Sequence, residues 1–256
     1  MSSHTYPLST PDGDVPVTVT ERGTGSPLLL LHGGAGPVSV TGFADQLAAR
    51  LPYRVLTPVH PGFNGTPRPD WLDSVGKLAG VYRSLLGELD LTGVTVAGNS
   101  IGGWIAAEVA LAAADRLARL VLMDAGGLDS AEHPPADFNS LTLDQVTELS
   151  WANPEGHYID LSAMTDEQRA IAGGNRAALQ VYGGPSMADP TLAARLAEIT
   201  APTVVIWGEA DRMVTPGYGE EYAAAIPKAS FQLLPGAGHL PQLETPEAVL
   251  ALFDQF

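Results

Sequence analysis

Residues 94–103 read VTVAGNSIGG, a short apolar strand followed by a glycine-flanked serine at the start of a helical pattern. The β-branched residues favour a buried strand, and apolar residues recur at helical spacing after the serine. Serine is a weak nucleophile at neutral pH, so catalysis needs it on a tight turn that a base can reach and where backbone N–H groups face the oxyanion. Because Gly98 and Gly102 permit such a turn, we predict that Ser100 is a nucleophile.

Three further strand-like runs end in the residue types that a nucleophilic serine requires. The run LLLL leads into the glycine-rich loop HGGAG at 32–36, whose N–H groups are suited to bind an oxyanion. The run VVIW at 204–207 precedes Asp211, and the run FQLL at 231–234 precedes His239. The chain order is therefore serine, acid, histidine. Chemistry alone assigns the histidine as general base and the aspartate as the group that orients the imidazolium.

These motifs and their order resemble the α/β-hydrolase superfamily, in which a nucleophile elbow, an HGG-type oxyanion loop and the order Ser, acid, His occur together. The resemblance implies that Ser100 is the nucleophile, His239 the general base and Asp211 the orienting acid. It also implies that the backbone N–H groups of Gly34 and Ile101 form an oxyanion hole. The corresponding fold is a mostly parallel central sheet with helices on both faces.

A second aspartate competes for the role of the acid. Asp124 ends the preceding strand in the segment LMDAG, and some superfamily members take the acid from that position. Glu209 is a lesser alternative. Asp124 also has a structural interpretation, because an aspartate at a strand end commonly hydrogen-bonds the backbone of its own loop. We favour Asp211 and keep Asp124 as the alternative acid.

Four of the five other histidines need an interpretation. In HGG loops the histidine usually supports the turn, so we predict a structural role for His32, and likewise for His60 at the end of another strand. His133 and His157 fall in an irregular region discussed below. No group of His, Asp and Glu has the spacing of metal ligands, and no G-x-G-x-x-G follows a strand, so we predict neither a metal nor a cofactor.

Strands and helices alternate along the chain, which indicates a mostly parallel sheet covered on both faces. We predict strands near residues 15–20, 27–31, 54–59, 94–98, 119–123, 203–207 and 230–234. We predict helices at 73–89, 101–114, 216–225 and 246–256.

One interval interrupts this alternation. Between the strands ending near residue 123 and starting near residue 203, the chain has helical patches, prolines and glycine pairs but no convincing strand. In the superfamily a helical cap commonly follows the sixth strand and covers the active site. The resemblance therefore implies a cap at 128–199 and a core formed by 1–127 and 200–256.

Composition favours a soluble enzyme. A chain of 256 residues can bury one large core, and no apolar run reaches the ~18 residues of a membrane span. The N-terminus lacks a secretory pattern and the chain has no cysteine, so we expect a cytoplasmic protein without disulfides or thiol chemistry. The net charge of −16 disfavours nucleic acid and highly anionic substrates. The expected partner is a small-molecule substrate.

The elbow is similar to that of hydrolases that cleave carbon–carbon bonds in ring-fission products, which often carry Asn before the nucleophile, as Asn99 is here. Those enzymes usually have an aromatic residue after the histidine, where this chain has Leu240. No arginine for a substrate carboxylate is identifiable in the insertion, although Arg169 and Arg176 are candidates.

The broader prediction is therefore a carboxylesterase acting on a small to medium, mostly apolar ester. The first alternative is a carbon–carbon bond hydrolase. A second is a cofactor-free lyase or cyclase, because the same fold supports chemistry in which Ser and His act only as acid and base. A less favoured alternative is a ligand receptor that retains the triad.

Overall fold

An eight-stranded sheet forms the centre of the computed structural model, which describes residues 1–255. The strands of the described chain are β1 (Ser2–Thr10), β2 (Gly13–Arg22), β3 (Ser26–Leu31), β4 (Tyr53–Pro58), β5 (Val94–Asn99), β6 (Leu117–Met123), β7 (Gly127–Leu128), β8 (Ala188–Asp189), β9 (Thr203–Gly208) and β10 (Ala229–Leu234). All but β7 and β8 belong to the central sheet, in the order β1-β2-β4-β3-β5-β6-β9-β10.

The strand directions place the site at one edge of this sheet. The neighbours from β4 to β10 run parallel, whereas β1 pairs antiparallel with β2, and β2 with β4. The chain moves from β3 outward to β4 and then returns to β5 on the other side of β3. At such a reversal the loops beyond the carboxyl ends of the two strands diverge and leave a crevice, which is where open α/β sheets bind ligands.

Helices cover both faces of the sheet. They are α1 (Val38–Arg50), α2 (Val75–Glu88), α3 (Ile101–Ala112), α4 (Leu143–Ser150), α5 (Asp166–Gly183), α6 (Leu192–Leu196), α7 (Pro216–Ala225), α8 (Pro241–Glu244) and α9 (Pro246–Asp254). Short 3-10 turns lie at Ala114–Arg116 and Phe138–Ser140.

The alternation of side chains along β3 shows how the sheet packs against a layer of helices on each face. Leu28 and Leu30 belong to the apolar cluster formed with α1 and α9, whereas Leu29 and Leu31 belong to the cluster formed with α2 and α3. Successive residues of a strand point to opposite faces, so a run of four leucines buries both faces at once. The predicted fold class, a mostly parallel sheet between two layers of helices, is confirmed.

Most predicted elements lie where they were expected, and the elements absent from the prediction include an edge strand and a long helix. All seven predicted strands correspond to strands of the sheet, and the helix predicted at 246–256 is observed as α9, with Phe256 outside the described residues. The edge strand β1 and the helix α1 were not predicted. Most residues of β1 are exposed and polar, so it lacks the apolar alternation that marks a half-buried strand.

The insertion at 128–199 is mainly helical and contains α4, α5 and α6. The expectation that it has no strand is wrong in one detail, because β8 pairs in parallel with β7 at the start of the insertion. It follows β6, the sixth strand, and we propose that it is the cap of a core formed by 1–127 and 200–256. Within residues 1–255, no helix has both the length and the apolar character that crossing a bilayer requires.

Candidate active site

Ser100 occupies a strained turn between β5 and α3. Its φ of 58° and ψ of −123° lie in a region that residues other than glycine rarely adopt. The backbone on both sides fixes this conformation. The N–H of Ser100 donates to the Met123 carbonyl at 3.0 Å, and its carbonyl accepts from the N–H groups of Gly103 at 3.0 Å and Gly126 at 3.1 Å. These three bonds hold the serine turn between the end of β6 and the start of α3.

Gly98 and Gly102, on either side of the serine, leave no room for a side chain. A Cβ atom on Gly98 would clash with the carbonyl oxygen of Gly102, and one on Gly102 would clash with the carbonyl oxygens of Leu31 and His32. Neither glycine has a positive φ. The glycines thus allow α3 to approach β3 and β5 closely, which brings the serine turn beside the loop that follows β3.

That loop, residues 32–36, supplies one of the two predicted oxyanion donors. A Cβ atom built on Gly33 would lie 3.5 Å from the Ser100 Cβ, so the loop runs directly beside the serine. Among residues 1–255, no acceptor bonds the N–H of Gly34. The second predicted donor, Ile101, is the first residue of α3, where N–H groups have no acceptor in the helix and carry partial positive charge.

His32 orients the peptide that carries the Gly34 N–H. The backbone N–H of His60 donates to His32 Nε2 at 3.1 Å, so the ring proton of His32 resides on Nδ1. Nδ1 then donates to the Gly33 carbonyl at 2.8 Å. Because the carbonyl and the N–H of one planar peptide point in opposite directions, fixing the Gly33 carbonyl fixes the Gly34 N–H. His32 therefore has the supporting role expected from the sequence.

His60 completes this buried network. Its Nε2 donates to the His32 carbonyl at 3.0 Å, which leaves Nδ1 to accept from the Tyr82 hydroxyl. The two imidazole centroids lie 3.6 Å apart. Burial lowers the pKa of His32 to about 4, and burial together with the neighbouring His32 lowers the pKa of His60 well below its ordinary value. Both rings are therefore neutral at neutral pH.

The structure brings Asp211 and His239 together. His239 Nδ1 and Asp211 Oδ2 are 2.8 Å apart, and the aspartate is only 2% exposed. The other oxygen, Oδ1, accepts from the N–H groups of Met213 at 2.8 Å and Val214 at 3.1 Å. Within the described chain no hydrogen bond joins the Ser100 hydroxyl to the His239 ring. Such bonds are often long before substrate binds and shorten in the reactive complex.

Asp124, the alternative acid, lies behind Asp211 and makes no hydrogen bond to His239 within residues 1–255. It is completely buried, and Oδ1 accepts from the N–H of Gly208 at 2.9 Å, so its backbone partner is the neighbouring strand and not its own loop. Burial, and next the charge of Asp211, raise the pKa of Asp124 well above its ordinary value. Glu209, the lesser alternative, is exposed.

Asn99 has a function that sequence reasoning missed. It was identified as a signature before the nucleophile, but its side chain is fully buried. Nδ2 donates to the carbonyls of His239 at 2.9 Å and Met123 at 3.2 Å. The residue preceding the serine therefore ties together the loops that follow β5, β6 and β10.

The beginning of the insertion is bonded to the histidine loop. The N–H of His239 donates to the Ser150 carbonyl, at the end of α4, at 2.6 Å. One oxygen of the Glu244 carboxylate accepts from the N–H of Ala152, and the other accepts from that of Gly238, both at 2.7 Å. The end of α4 is thus fixed to the same loop that carries the predicted base.

Helix α5 of the insertion covers the oxyanion loop. A Cβ atom on Gly34 would lie 2.7 Å from the Leu179 Cδ2, so this leucine packs directly on the loop. Asn175 Nδ2 donates to the Ala35 carbonyl at 3.1 Å, and its Oδ1 accepts from the N–H of Asn64 at 2.7 Å. The insertion therefore contacts the site from two sides, at the histidine loop and at the oxyanion loop.

Both arginines considered for a substrate carboxylate are engaged elsewhere. Arg169 donates to the Leu161 carbonyl at 2.8 Å and pairs with Asp166 at 2.6 Å. Arg176 donates to the carbonyls of Phe138 at 3.1 Å and Leu141 at 2.9 Å. These bonds hold segments of the insertion itself, so both guanidinium groups already have partners within it.

Comparisons with known sequences identify the family. The sequence model described as "Alpha/beta hydrolase family" matches residues 28–252. The chain is 30% identical to a 2-hydroxy-6-oxononadienedioate/2-hydroxy-6-oxononatrienedioate hydrolase of Cupriavidus pinatubonensis, over 93% of this chain and 89% of that protein. It is 29% identical to a 2-hydroxy-6-oxo-6-phenylhexa-2,4-dienoate hydrolase of Burkholderia cepacia, over 91% and 87%.

Solved structures share the fold. A thermophilic esterase from Thermogutta terrifontis superposes with a TM-score of 0.79 at 24% identity, covering 98% of this chain and 97% of that one. A meta-cleavage product hydrolase from Pseudomonas fluorescens superposes with a TM-score of 0.75 at 20% identity, covering 98% and 96%. At these identities the similarity establishes the architecture.

Proposed function

Because the chain belongs to the alpha/beta hydrolase family, we propose that it is a serine hydrolase that cleaves a carbon–carbon bond in a 2-hydroxy-6-oxodienoate. Ser100 is the nucleophile in this proposal, His239 the base and Asp211 its orienting acid. The observation that carries the hydrolase chemistry is the bond between His239 and the buried Asp211, together with a serine on a strained turn whose preceding residue, Asn99, bonds the His239 carbonyl.

The choice of substrate class comes from the two relatives, which match nearly the whole chain and are both hydrolases of 2-hydroxy-6-oxo acids. This favours a carbon–carbon bond hydrolase, which was the first alternative from the sequence, over a carboxylesterase, which was the main prediction. The elbow supports the same choice, since Asn99 precedes the nucleophile.

The first step uses the groups already described. His239 takes the proton of Ser100 as the hydroxyl oxygen attacks the C6 carbonyl carbon. The resulting oxyanion accepts hydrogen bonds from the N–H groups of Gly34 and Ile101, which need no reorganisation because the loop and the helix end already hold them. Asp211 stabilises the imidazolium while the negative charge develops.

The second step breaks the bond between C5 and C6. Ketonisation, which precedes the attack, moves the proton of the 2-hydroxy group to C5 and leaves a C2 carbonyl conjugated with the C3–C4 double bond. When the bond to C6 breaks, the electron pair passes from C5 through that double bond to the C2 oxygen, which takes the proton that His239 had accepted from Ser100, and the acyl group stays on Ser100. Water, deprotonated by His239, then attacks the acyl carbon and releases a carboxylic acid. The sum is one water added, with OH on C6 and H on C5.

A carboxylesterase is the second candidate, and two observations favour it. Leu240 stands where carbon–carbon hydrolases usually have an aromatic residue, and Arg169 and Arg176 are both bonded to backbone carbonyls. In ester hydrolysis no ketonisation is needed, and the leaving group is an alkoxide that His239 protonates. The two candidates therefore share the attack on the acyl carbon and the hydrolysis of the acyl-enzyme, and they differ in how the leaving group is made able to depart.

The test compares both substrate classes with one set of proteins. We would follow the loss of absorbance of 2-hydroxy-6-oxo-6-phenylhexa-2,4-dienoate and the release of p-nitrophenolate from esters of two to eight acyl carbons. Wild type, Ser100→Ala and the exposed control Ser230→Ala would be assayed after circular dichroism confirms that each is folded.

We expect the dienoate to be cleaved to benzoate and 2-hydroxypenta-2,4-dienoate with the higher kcat/KM. Ser230→Ala should match wild type, and Ser100→Ala should lose on the order of a millionfold in turnover, as in a well-studied serine protease. A higher kcat/KM for an ester would replace the proposal with carboxylesterase. Turnover of neither class by folded wild type would overturn both and direct attention to lyase, cyclase or receptor functions.

A further inference from the structure

We propose that Asp124 is a positioning residue held as a neutral carboxylic acid, whose hydroxyl donates a hydrogen bond to the Asp211 carboxylate. The inference rests on the proposed roles of Asp211 and His239 for its effect on activity. The protonation state of Asp124 itself is a property of the fold and can be tested without substrate.

The hydrogen bonds of Asp124 leave one oxygen to explain. Oδ1 accepts from the Gly208 N–H, whereas Oδ2 is buried and receives no hydrogen bond from any donor in residues 1–255. An ionised oxygen buried without a donor is strongly disfavoured. A protonated oxygen needs an acceptor instead, and the Asp211 carboxylate supplies one.

The surroundings of the pair make two negative charges unfavourable. Carboxylate oxygens of Asp124 and Asp211 lie within 4.8 Å of each other and of a His239 ring nitrogen, and all three residues are buried. The other titratable group acting on Asp124 is Glu244, which is also acidic. Two carboxylates that share a buried site cannot both ionise readily, so one retains its proton.

The proton belongs on Asp124 because the two carboxyl groups have different partners. Asp211 accepts from two backbone N–H groups and contacts His239, so both of its oxygens already have hydrogen-bond partners. Asp124 accepts from one N–H only. Burial and the negative charge of Asp211 both raise the pKa of Asp124, which agrees with a proton on Asp124.

A donated hydrogen bond from Asp124 has two effects on the base. It fixes the rotation of the Asp211 carboxylate together with the Met213 and Val214 N–H groups. It also withdraws charge from that carboxylate and so weakens its attraction for the protonated His239. The base then releases its proton more readily in the later steps of the cycle.

Two variants of Asp124 test the donated hydrogen bond. Asp124→Asn keeps a donor toward Asp211, whereas Asp124→Ala removes it. Asparagine keeps an acceptor for Gly208 and supplies an N–H donor to Asp211, and it tolerates the positive φ of 45° at this position. We expect Asp124→Ala to lose about 10–100-fold in kcat/KM and to raise the pH of half-maximal kcat/KM by about 0.5–1 unit. Asp124→Asn should recover most of the loss and return the pH profile toward that of wild type.

Stability gives a readout that involves no substrate. In the unfolded chain the Asp124 carboxyl ionises near pH 4, so wild type must bind a proton to fold at higher pH, whereas Asp124→Asn does not. The ratio of the folding equilibrium constants, variant over wild type, should therefore rise about tenfold per pH unit from pH 5 upward. Urea unfolding at pH 5, 6, 7 and 8 measures this ratio.

A ratio that stays constant from pH 5 to 8 would show that Asp124 is ionised in the fold and would overturn the inference. Loss of activity in Asp124→Asn as severe as in Asp124→Ala would overturn the positioning role. If wild type cleaves neither substrate class while the ratio still rises with pH, the proposed function fails and the protonated Asp124 stands. If Asp124→Ala does not fold, Asp124→Asn still decides both points.

Discussion

The side-chain amide of Asn99 donates a 2.9 Å hydrogen bond to the backbone carbonyl of His239, a residue 140 positions later in the chain. Asn99 immediately precedes the predicted nucleophile, and His239 is the predicted base. A single buried side chain therefore fixes the serine turn relative to the histidine loop. Asn99 is completely buried, so this bond is shielded from solvent.

Asn99→Ala should lower both stability and turnover. Two buried carbonyls, those of His239 and Met123, would lose their donor, at a cost of about 1–3 kcal/mol in the free energy of unfolding. The looser histidine loop should lower kcat about tenfold. Urea unfolding and steady-state kinetics measure these effects, and the exposed substitution Asn153→Ala is the control. A wild-type kcat in a destabilised Asn99→Ala would show that the bond serves only the fold.

Asp211→Asn should lower kcat by about 10³–10⁴, as found for the equivalent change in a serine protease. The amide oxygen is needed by the Met213 and Val214 N–H groups, so the amide NH2 group faces His239 Nδ1 and favours the wrong tautomer. Asp70→Asn, an exposed change of the same chemistry, should match wild type. The kinetic comparison also discriminates between the two candidate acids. If Asp211→Asn stayed active while Asp124→Asn lost activity to this extent, Asp124 would be the acid of the triad.

The buried histidine pair should make the fold sensitive to acid. The pKa of His32 is about 4 in the native state and about 6.5 when unfolded, so the unfolded chain binds the additional proton. The contribution of His32 is complete above pH 6.5 and is lost toward pH 4, at about 1.4 kcal/mol per pH unit. Asp124 acts in the opposite direction, so variants must be compared with wild type at each pH.

Urea unfolding of wild type and His32→Gln at pH 7.5 and 5.5 tests this contribution. The difference in unfolding free energy between the two proteins should be smaller at pH 5.5. His157→Gln serves as the control, because His157 is exposed in the insertion and stacks only on Trp151. Equal differences at the two pH values would mean that His32 is not kept neutral by the fold.

Leu179→Ala should widen the site above the oxyanion loop. The leucine packs on Gly34, and its loss should raise the kcat/KM of substrates with a bulky group at the reacting carbonyl relative to small ones, by about tenfold. Leu192→Ala is a matched control, since it removes the same atoms from a buried position on another helix of the insertion. An unchanged ratio of bulky to small substrates would place the acyl group elsewhere.

The parts of the site that sequence reasoning identified share one property. The serine turn, the loop at 32–36, Asp211 and His239 each follow a strongly apolar strand, so local pattern placed them at the same edge of a parallel sheet. Asn99 and Ser150 escaped this reasoning because their partners are backbone carbonyls and N–H groups far away in the chain. Such bonds cannot be recognised from the residue types in the sequence.

Signals for the helices of the insertion were present but were not used. Thr142 and Gln145 form a capping box at the start of α4, and Thr165 and Gln168 form one at the start of α5. The pattern T-x-x-Q before a helical run predicts a helix start. The edge strand β1 had no comparable signal, because most of its polar residues are exposed and the strand is held mainly by backbone pairing with β2.

The hydrogen bond from the His239 N–H to the Ser150 carbonyl has a consequence for protein engineering. Exchanging the insertion between relatives is a natural route to new specificities. In this protein, however, the donor of that bond is the backbone N–H of the predicted base, and the acceptor lies in the segment that would be exchanged. A chimera that brings a foreign insertion onto this core would shift the histidine unless its backbone offered a carbonyl at the same place. Successful recombination should therefore retain 143–152 with the recipient and cross over after it.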